Sequence, residues 1–469
     1  ATAAALDLTN GSATTGALLV QTNNSIANTL SIGPGKTLTT NGSVTIGFDG
    51  TPTSASGQTG LTVSGTGAWI VNQPSGTFQV GGATSEANGN VGTLDMSGLA
   101  TFTADLGSGG VFRVGDDAPN AGGSGSSAST VTLADTSTIT ARLIGLADSK
   151  ATGAGVATLN LGAVSNTLNA DRINVGDNVA GRRGTGVLQF AGATGTLQVR
   201  GSDGTSRANI DVLNSPAGTG YGLGGTVDVT GHSSDLLVNT LTVGLRTGGT
   251  GAGTGTFSFD TGILDVTSIV AGHKLGGGGT TTVSGTINIG GGTVNVGIGG
   301  VALGLNGGSA ASTAAGTLNL TGGSVTIAGD VTHGGTTGPG TATGTLNLDG
   351  ATLDMTGRNV GDATNAVTGI FASGTLRNLG EFNGGAVVDK TTSGTLVFDT
   401  ANTYTGGTTV SEGTLLVNNT IGSATGTGSV TVALGATLGG SGIISGPTTI
   451  FGAHTPGNSP GLQDFGSDL

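Results

Sequence analysis

The ionisable chemistry of this 469-residue chain is sparse: 27 acids, 14 Lys and Arg residues, four histidines and no cysteine. Carbohydrate cleavage of the acid–base or calcium-dependent kind needs carboxylates clustered with a His, Lys or Arg. Asp116–Asp117 is the one adjacent acid pair and Arg182–Arg183 the one basic pair, and both read as starts of solvated loops. Asp116, Asp177 and Asp362 each follow a repeated glycine, but they stand in different repeats and cannot chelate one ion together. His232, His273, His333 and His454 share no repeat position. His273 follows a repeat glycine and is expected to face outward. His333 precedes one, at an inward position held elsewhere by Val or Ile, and reads as a strand-end histidine. Sugar-stacking platforms reduce to Trp69, Tyr221 and Tyr404. Three-glycine phosphate loops carry no signal where one residue in five is glycine, and none lies between a strand and a helix. No catalytic, cofactor-binding or metal-ligating residue is assigned. The acidic balance leaves room for surface Ca2+ bridging between molecules.

The elements that would position these residues follow from a repeat. An apolar strand end followed by glycine recurs at Gly47, Gly81, Gly115, Gly145, Gly176, Gly244, Gly272, Gly304, Gly334 and Gly361, with Ile210–Val212 as a degenerate copy. A Gly-Thr-apolar-x-apolar unit keeps the same beat at Gly92, Gly225, Gly255, Gly285, Gly316 and Gly344. A third short strand lies between them, at Ile263–Val266, Thr293–Val296, Ser324–Ile327 and Thr352–Met355. Each period of about 30 residues therefore holds three strands with period-2 alternation and ends in a Gly-, Ala-, Ser- and Thr-rich loop. Such strands cannot bury an apolar face alone, and stacking successive periods closes them into parallel ladders. The expected fold is all-β: a right-handed parallel β-helix, or β-solenoid, with three short strands per turn. Asn288, Asn319 and Asn347 fall at one outward register and are expected to form a hydrogen-bonded ladder.

Composition agrees. Glycine accounts for 97 residues and aromatics for 3%, which excludes a core of bulky side chains and opposes helix. Zinc fingers and disulfide scaffolds need cysteine. A net charge of −13 disfavours nucleic acid as a partner. No apolar run is long enough for a membrane-spanning helix. The start, Ala1–Ala5, reads as the mature end left after signal removal.

From Gly394 the beat shortens. Leu376, Leu396 and Leu415, each in a Gly-Thr-Leu unit, are spaced by about two-thirds of the earlier interval. The expected organisation is a solenoid with loop-bearing turns over residues 1–379 and bare, shorter turns over 380–469. Lys390–Phe398, Ala401–Val410 (Ala-Asn-Thr-Tyr-Thr-Gly-Gly-Thr-Thr-Val) and Glu412–Val417 resemble the autotransporter-associated β-strand repeat. Gly428–Val432, Gly435–Gly442 and Pro456–Gly461 extend the resemblance, which covers roughly residues 390–461. It implies a bacterial exported passenger, at the cell surface or released, often in large adhesin-like proteins. No translocator β-barrel sequence occurs in these 469 residues, and His454 stands where the family more usually has an aliphatic residue.

The expected function is that of a secreted structural solenoid of a bacterial surface or matrix, stacking head to tail into a filament. An adhesin or glycan-binding passenger is the alternative, with a polysaccharide-degrading β-helix enzyme behind it. The expected partners are further copies of the chain or surface glycans.

Overall fold

Thr and Val dominate the strands because β-branched side chains fit a pleated ladder, while the glycines supply the bends. The computed structural model describes residues 4–21, 26–47, 58–81, 91–115, 128–147, 155–176, 184–215, 223–247, 251–457 and 462–467. Among these, the only helical element is one 3-10 turn at Gly107–Gly109, and every strand pairing is parallel. The architecture is a parallel β-solenoid. The chain forms two compact units: Ala1–Phe257 with Lys274–Val283 and Gly308–Ser312, and Ser258–His273 with Ser284–Gly307 and Thr313–Leu469.

In the first unit, Val44, Phe78, Phe112, Ile144, Ile173, Ile210 and Leu241 occupy one register position on seven successive turns. Two residues on, Ile46, Val80, Val114, Leu146, Val175, Val212 and Val243 form a second column. All fourteen side chains are buried. Each contributes about 1.5–3 kcal/mol of transfer free energy, so a narrow interior suffices with few aromatic side chains. The unit begins with β1 (Ala5–Leu8), β2 (Ala13–Thr15) and β3 (Leu18–Val20). These pair with Thr29–Ile32, Leu38–Thr40 and Val44–Ile46 of the next turn.

The corner after the second column corrects the repeat alignment. Backbone bonds place Ala147, not Gly145, between Gly115 and Gly176. Gly145 pairs instead with Arg113 and Asn174, two residues earlier. The corner is left-handed, with φ of 109° at Gly115, 53° at Ala147, 78° at Gly176, 57° at Leu213 and 72° at Gly244. Two side-chain-bearing residues thus accept a conformation that glycine adopts freely. The apolar-x-apolar rhythm of Arg142–Ala147 reads equally well two residues along, which is why the glycine misled.

In the second unit the strand residues 284–289 and 313–320 alternate inward apolar and outward polar side chains. An inward column runs Leu264, Val294, Val325, Leu353, Leu376, Phe398 and Val417, all buried. It continues although the spacing between partners shortens, from Leu353↔Leu376 to Phe398↔Val417. Leu376 pairs with Phe398 rather than with Leu396, so here too motif alignment is displaced by two residues. Because side chains alternate with period 2, that displacement keeps the same face inward.

The Asn ladder forms in part. The Asn319 amide donates to Asn288 Oδ1 at 2.8 Å, and the Asn288 amide donates to Ser258 Oγ at 3.3 Å. Asn347 Oδ1 is buried without a partner. In the first unit, Gln189, Asn160 and Thr132 make a ladder of the same kind at paired positions.

Candidate functional site

Asp116, Asp117, Asp177, Arg182, Arg183 and Tyr221 lie outside the described residues. Asp362 is exposed, and its Oδ1 accepts the backbone N–H groups of Thr364 at 2.7 Å and Asn365 at 2.8 Å. Those two bonds hold its carboxyl below the usual carboxylate range. It is a turn-forming aspartate. Asp203 does the same with Thr205 and Ser206. Among the described residues, no three His, Asp or Glu side chains gather to hold a metal ion.

The histidines are scattered, as expected, but one faces the wrong way. His273 is buried rather than outward. Burial pushes its pKa down to about 4, and the neighbouring His333 adds to this against a hydrogen bond with Ala302. The turn after Gly272 folds inward, so the position beyond the glycine is interior. His333 shares the inward register of Leu303, as its place in the repeat predicts, and its Nδ1 lies 3.1 Å from the Ala366 carbonyl. The His232 imidazole stacks on Phe190, with centroids 3.8 Å apart, between the carbonyls of Thr230 and Gly192. His454 Nε2 meets Gln463 Oε1 at 2.7 Å. Each histidine is held by local packing or a hydrogen bond.

Neither described aromatic platform exists. Trp69 is fully buried, with its indole N–H donating to Thr40 Oγ1 at 3.1 Å. It packs edge-on against Phe102 and beside Phe78, which stacks on Phe112 at 4.7 Å. Tyr404 is also fully buried, its hydroxyl 2.6 Å from Thr408 Oγ1. Burial pushes its phenol above the ordinary range. Core demand took both rings in a chain with few other large apolar side chains.

Residues 388–417 form four short strands: Val388–Lys390, Thr395–Phe398, Thr408–Val410 and Thr414–Val417. Buried polar groups tie their turns together. Asn402 Oδ1 accepts Leu379 N–H at 2.7 Å, while its amide donates to the Ala424 carbonyl at 2.6 Å. One side chain thus staples three turns. The Lys390 ammonium is buried and donates to Thr392 and to the Glu412 carbonyl. This knot coincides with the motif-bearing stretch. Residues 388–417 match the passenger-associated-transport-repeat family. The match agrees with the resemblance carried by Asn402–Thr409. No curated protein and no solved structure matches the chain. Among the described residues, no helix is long and apolar enough to cross a membrane.

Two features escaped the sequence reading. The β1–β3 turn of the first unit carries an open pocket of about 610 Å3 lined by Leu6, Leu18, Leu19, Leu30 and Leu38. Leu6 and Leu19 are 49% and 58% exposed there. In the same unit Arg246 and Lys274 are wholly buried. The signal for the second was present: both stand two residues past a repeat glycine, a position that the inward fold of the corner makes interior.

Proposed function

We propose that this chain is a non-enzymatic passenger solenoid of a bacterial cell surface, and that it stacks head to tail with further copies into a filament. The passenger-associated-transport-repeat match over residues 388–417 carries the surface assignment. Export through a narrow route suits short-range parallel stacking, because each turn needs only its neighbour to fold.

The β1–β3 turn bears on the stacking. Each of the three strands pairs with the following turn, and an unpaired strand edge is in general a template for strand addition. Exposed Leu6 and Leu19 supply apolar area on that turn. The glycan-binding alternative loses Trp69 and Tyr404, which are interior. The test is sedimentation velocity with negative-stain microscopy over a range of concentrations, on the unmodified chain and on Leu6→Lys/Leu19→Lys. The unmodified chain should elongate with concentration and the double variant should stay short. A monodisperse single particle at high concentration refutes self-stacking. Failure of antibodies to label intact producing cells or their medium refutes the surface assignment.

A further inference from the structure

Lys274 and Arg246 stand at one inward position on adjacent turns of the first unit. Ser215 and Arg246 are register partners, and Thr247 N–H donates to the Ser215 carbonyl. Leu275 N–H donates to the Arg246 carbonyl at 2.8 Å in the same pattern, which sets Lys274 beside Arg246. Ladder spacing places the two backbones about 4.8 Å apart. Both side chains have no solvent exposure. Arg246 is engaged by partners of its own: Nη1 donates to the Gly251 carbonyl at 2.7 Å and to Thr281 Oγ1 at 2.9 Å. Lys274 Nζ differs, being buried with no hydrogen-bond partner.

An ammonium in that place is costly, because it has lost its water and gained no acceptor. Burial, and behind it the charge of Arg246, push Lys274 below the ordinary lysine range. Both effects favour the free amine, whose lone pair is nucleophilic. Lys390 shows the contrast. It is only 1% exposed, but its Nζ donates to the Thr392 and Glu412 carbonyls. Those acceptors hold the protons that a nucleophilic amine must shed.

We infer that Lys274 is a carbamylation site, where Nζ adds carbon dioxide to form a buried lysine carbamate. The amine lone pair makes a new C–N bond, one C=O π pair moves onto oxygen, and a nitrogen proton leaves to water. Lys–NH2 and CO2 thus give Lys–NH–CO2− and H+, with no change of oxidation state. The setting selects this electrophile. Nζ is sealed from solvent, so the reactant is small. Carbon dioxide is also uncharged and apolar, and it reaches the interior as turns stack or open locally. The product is an anion on the turn next to a guanidinium. The positive charge of Arg246 that disfavours an ammonium at Lys274 favours a carbamate there, whatever else the guanidinium bonds to. Sealing preserves the adduct as well, because carbamates revert through protonation at nitrogen and the interior excludes the water that would deliver the proton.

Carbon NMR of the folded chain in isotope-labelled bicarbonate, with lysine labelled at Nζ, tests this. One carbamate resonance should appear, split by one-bond coupling to nitrogen, at about one adduct per chain. Lys274→Met, which keeps the length and removes the amine, should abolish it, and Lys390→Met should leave it unchanged. At constant pH and ionic strength, the urea-derived folding equilibrium constant of the unmodified chain should rise about tenfold for each tenfold increase of dissolved CO2 above half-saturation. A crystal grown in bicarbonate should show the added carboxyl group on Lys274 Nζ, a readout that stands even if the variant fails to fold. A spectrum without the nitrogen-coupled resonance at saturating bicarbonate overturns the site, as does a bare Lys274 in that crystal. A resonance that survives in Lys274→Met overturns it too.

Discussion

Replacing Asn402 with alanine removes one side chain that serves three turns. The Leu379 N–H and the Ala424 carbonyl, both bonded to Asn402, lose their partners at a position only 3% exposed. A buried polar group left unpaired costs about 1–3 kcal/mol, so the two together destabilise the surrounding turns by about 4 kcal/mol. With a urea dependence of about 2 kcal/mol per molar, the local transition moves down by roughly 2 M. Solenoid stability is close to a sum over neighbouring turns, so the loss should stay local. Trp69, the single tryptophan, is buried in the first unit, whereas Asn402 lies in the second. Its fluorescence therefore serves as an internal control. Hydrogen exchange read on peptides spanning residues 379–424 should show early opening in Asn402→Ala, while the Trp69 transition keeps its midpoint. A local shift under about 0.5 M would remove the stapling argument. A Trp69 transition that moves in step would remove the nearest-neighbour one.

Phe102→Ala should destabilise the first unit by about 3–5 kcal/mol, because it opens a cavity against Trp69 and Phe78; the Trp69 unfolding midpoint measures it. His273 is held neutral, with its pKa lowered from 6.5 to about 4. The unfolded chain therefore takes up a proton first as pH falls, and stability drops by about 3 kcal/mol between pH 6.5 and 4. Urea midpoints of His273→Gln should be flatter over that window, and an identical pH profile would contradict the assignment. At the left-handed corner, Ala147→Gly should stabilise by about 0.5–1 kcal/mol as backbone strain is relieved. Gly176→Ala should destabilise strongly, since a Cβ there would lie 1.9 Å from the Gly224 carbonyl oxygen. Thermal melts of the pair should move in opposite directions.

The repeat made the fold readable: alternation at a fixed beat admits little other than stacked parallel strands. Register was less readable. Gly145 and Leu396 were aligned by motif, yet Ala147 and Phe398 occupy those places. A two-residue displacement leaves the inward face unchanged, so hydrophobic pattern alone cannot detect it. Burial of Trp69 and Tyr404 was hidden for a different reason. Both ring types suit surface recognition in principle, and only the column a side chain joins decides where it lies. His273 and Lys274 were misplaced or passed over because the corner after the repeat glycine turns inward, a property of backbone path rather than of residue type. Asn402 was quoted as part of a motif, but its two long-range bonds depend on turns above and below that no local window contains.

The inward column from Leu264 to Val417 stays unbroken while the number of residues between its members changes. Contour length between layers is thus uncoupled from what the layers bury. Foreign peptides spliced into the connecting segments would be carried outward at regular height along the molecule, with no demand on the interior. The same freedom lets natural variation accumulate in those segments while the winding beneath them stays fixed.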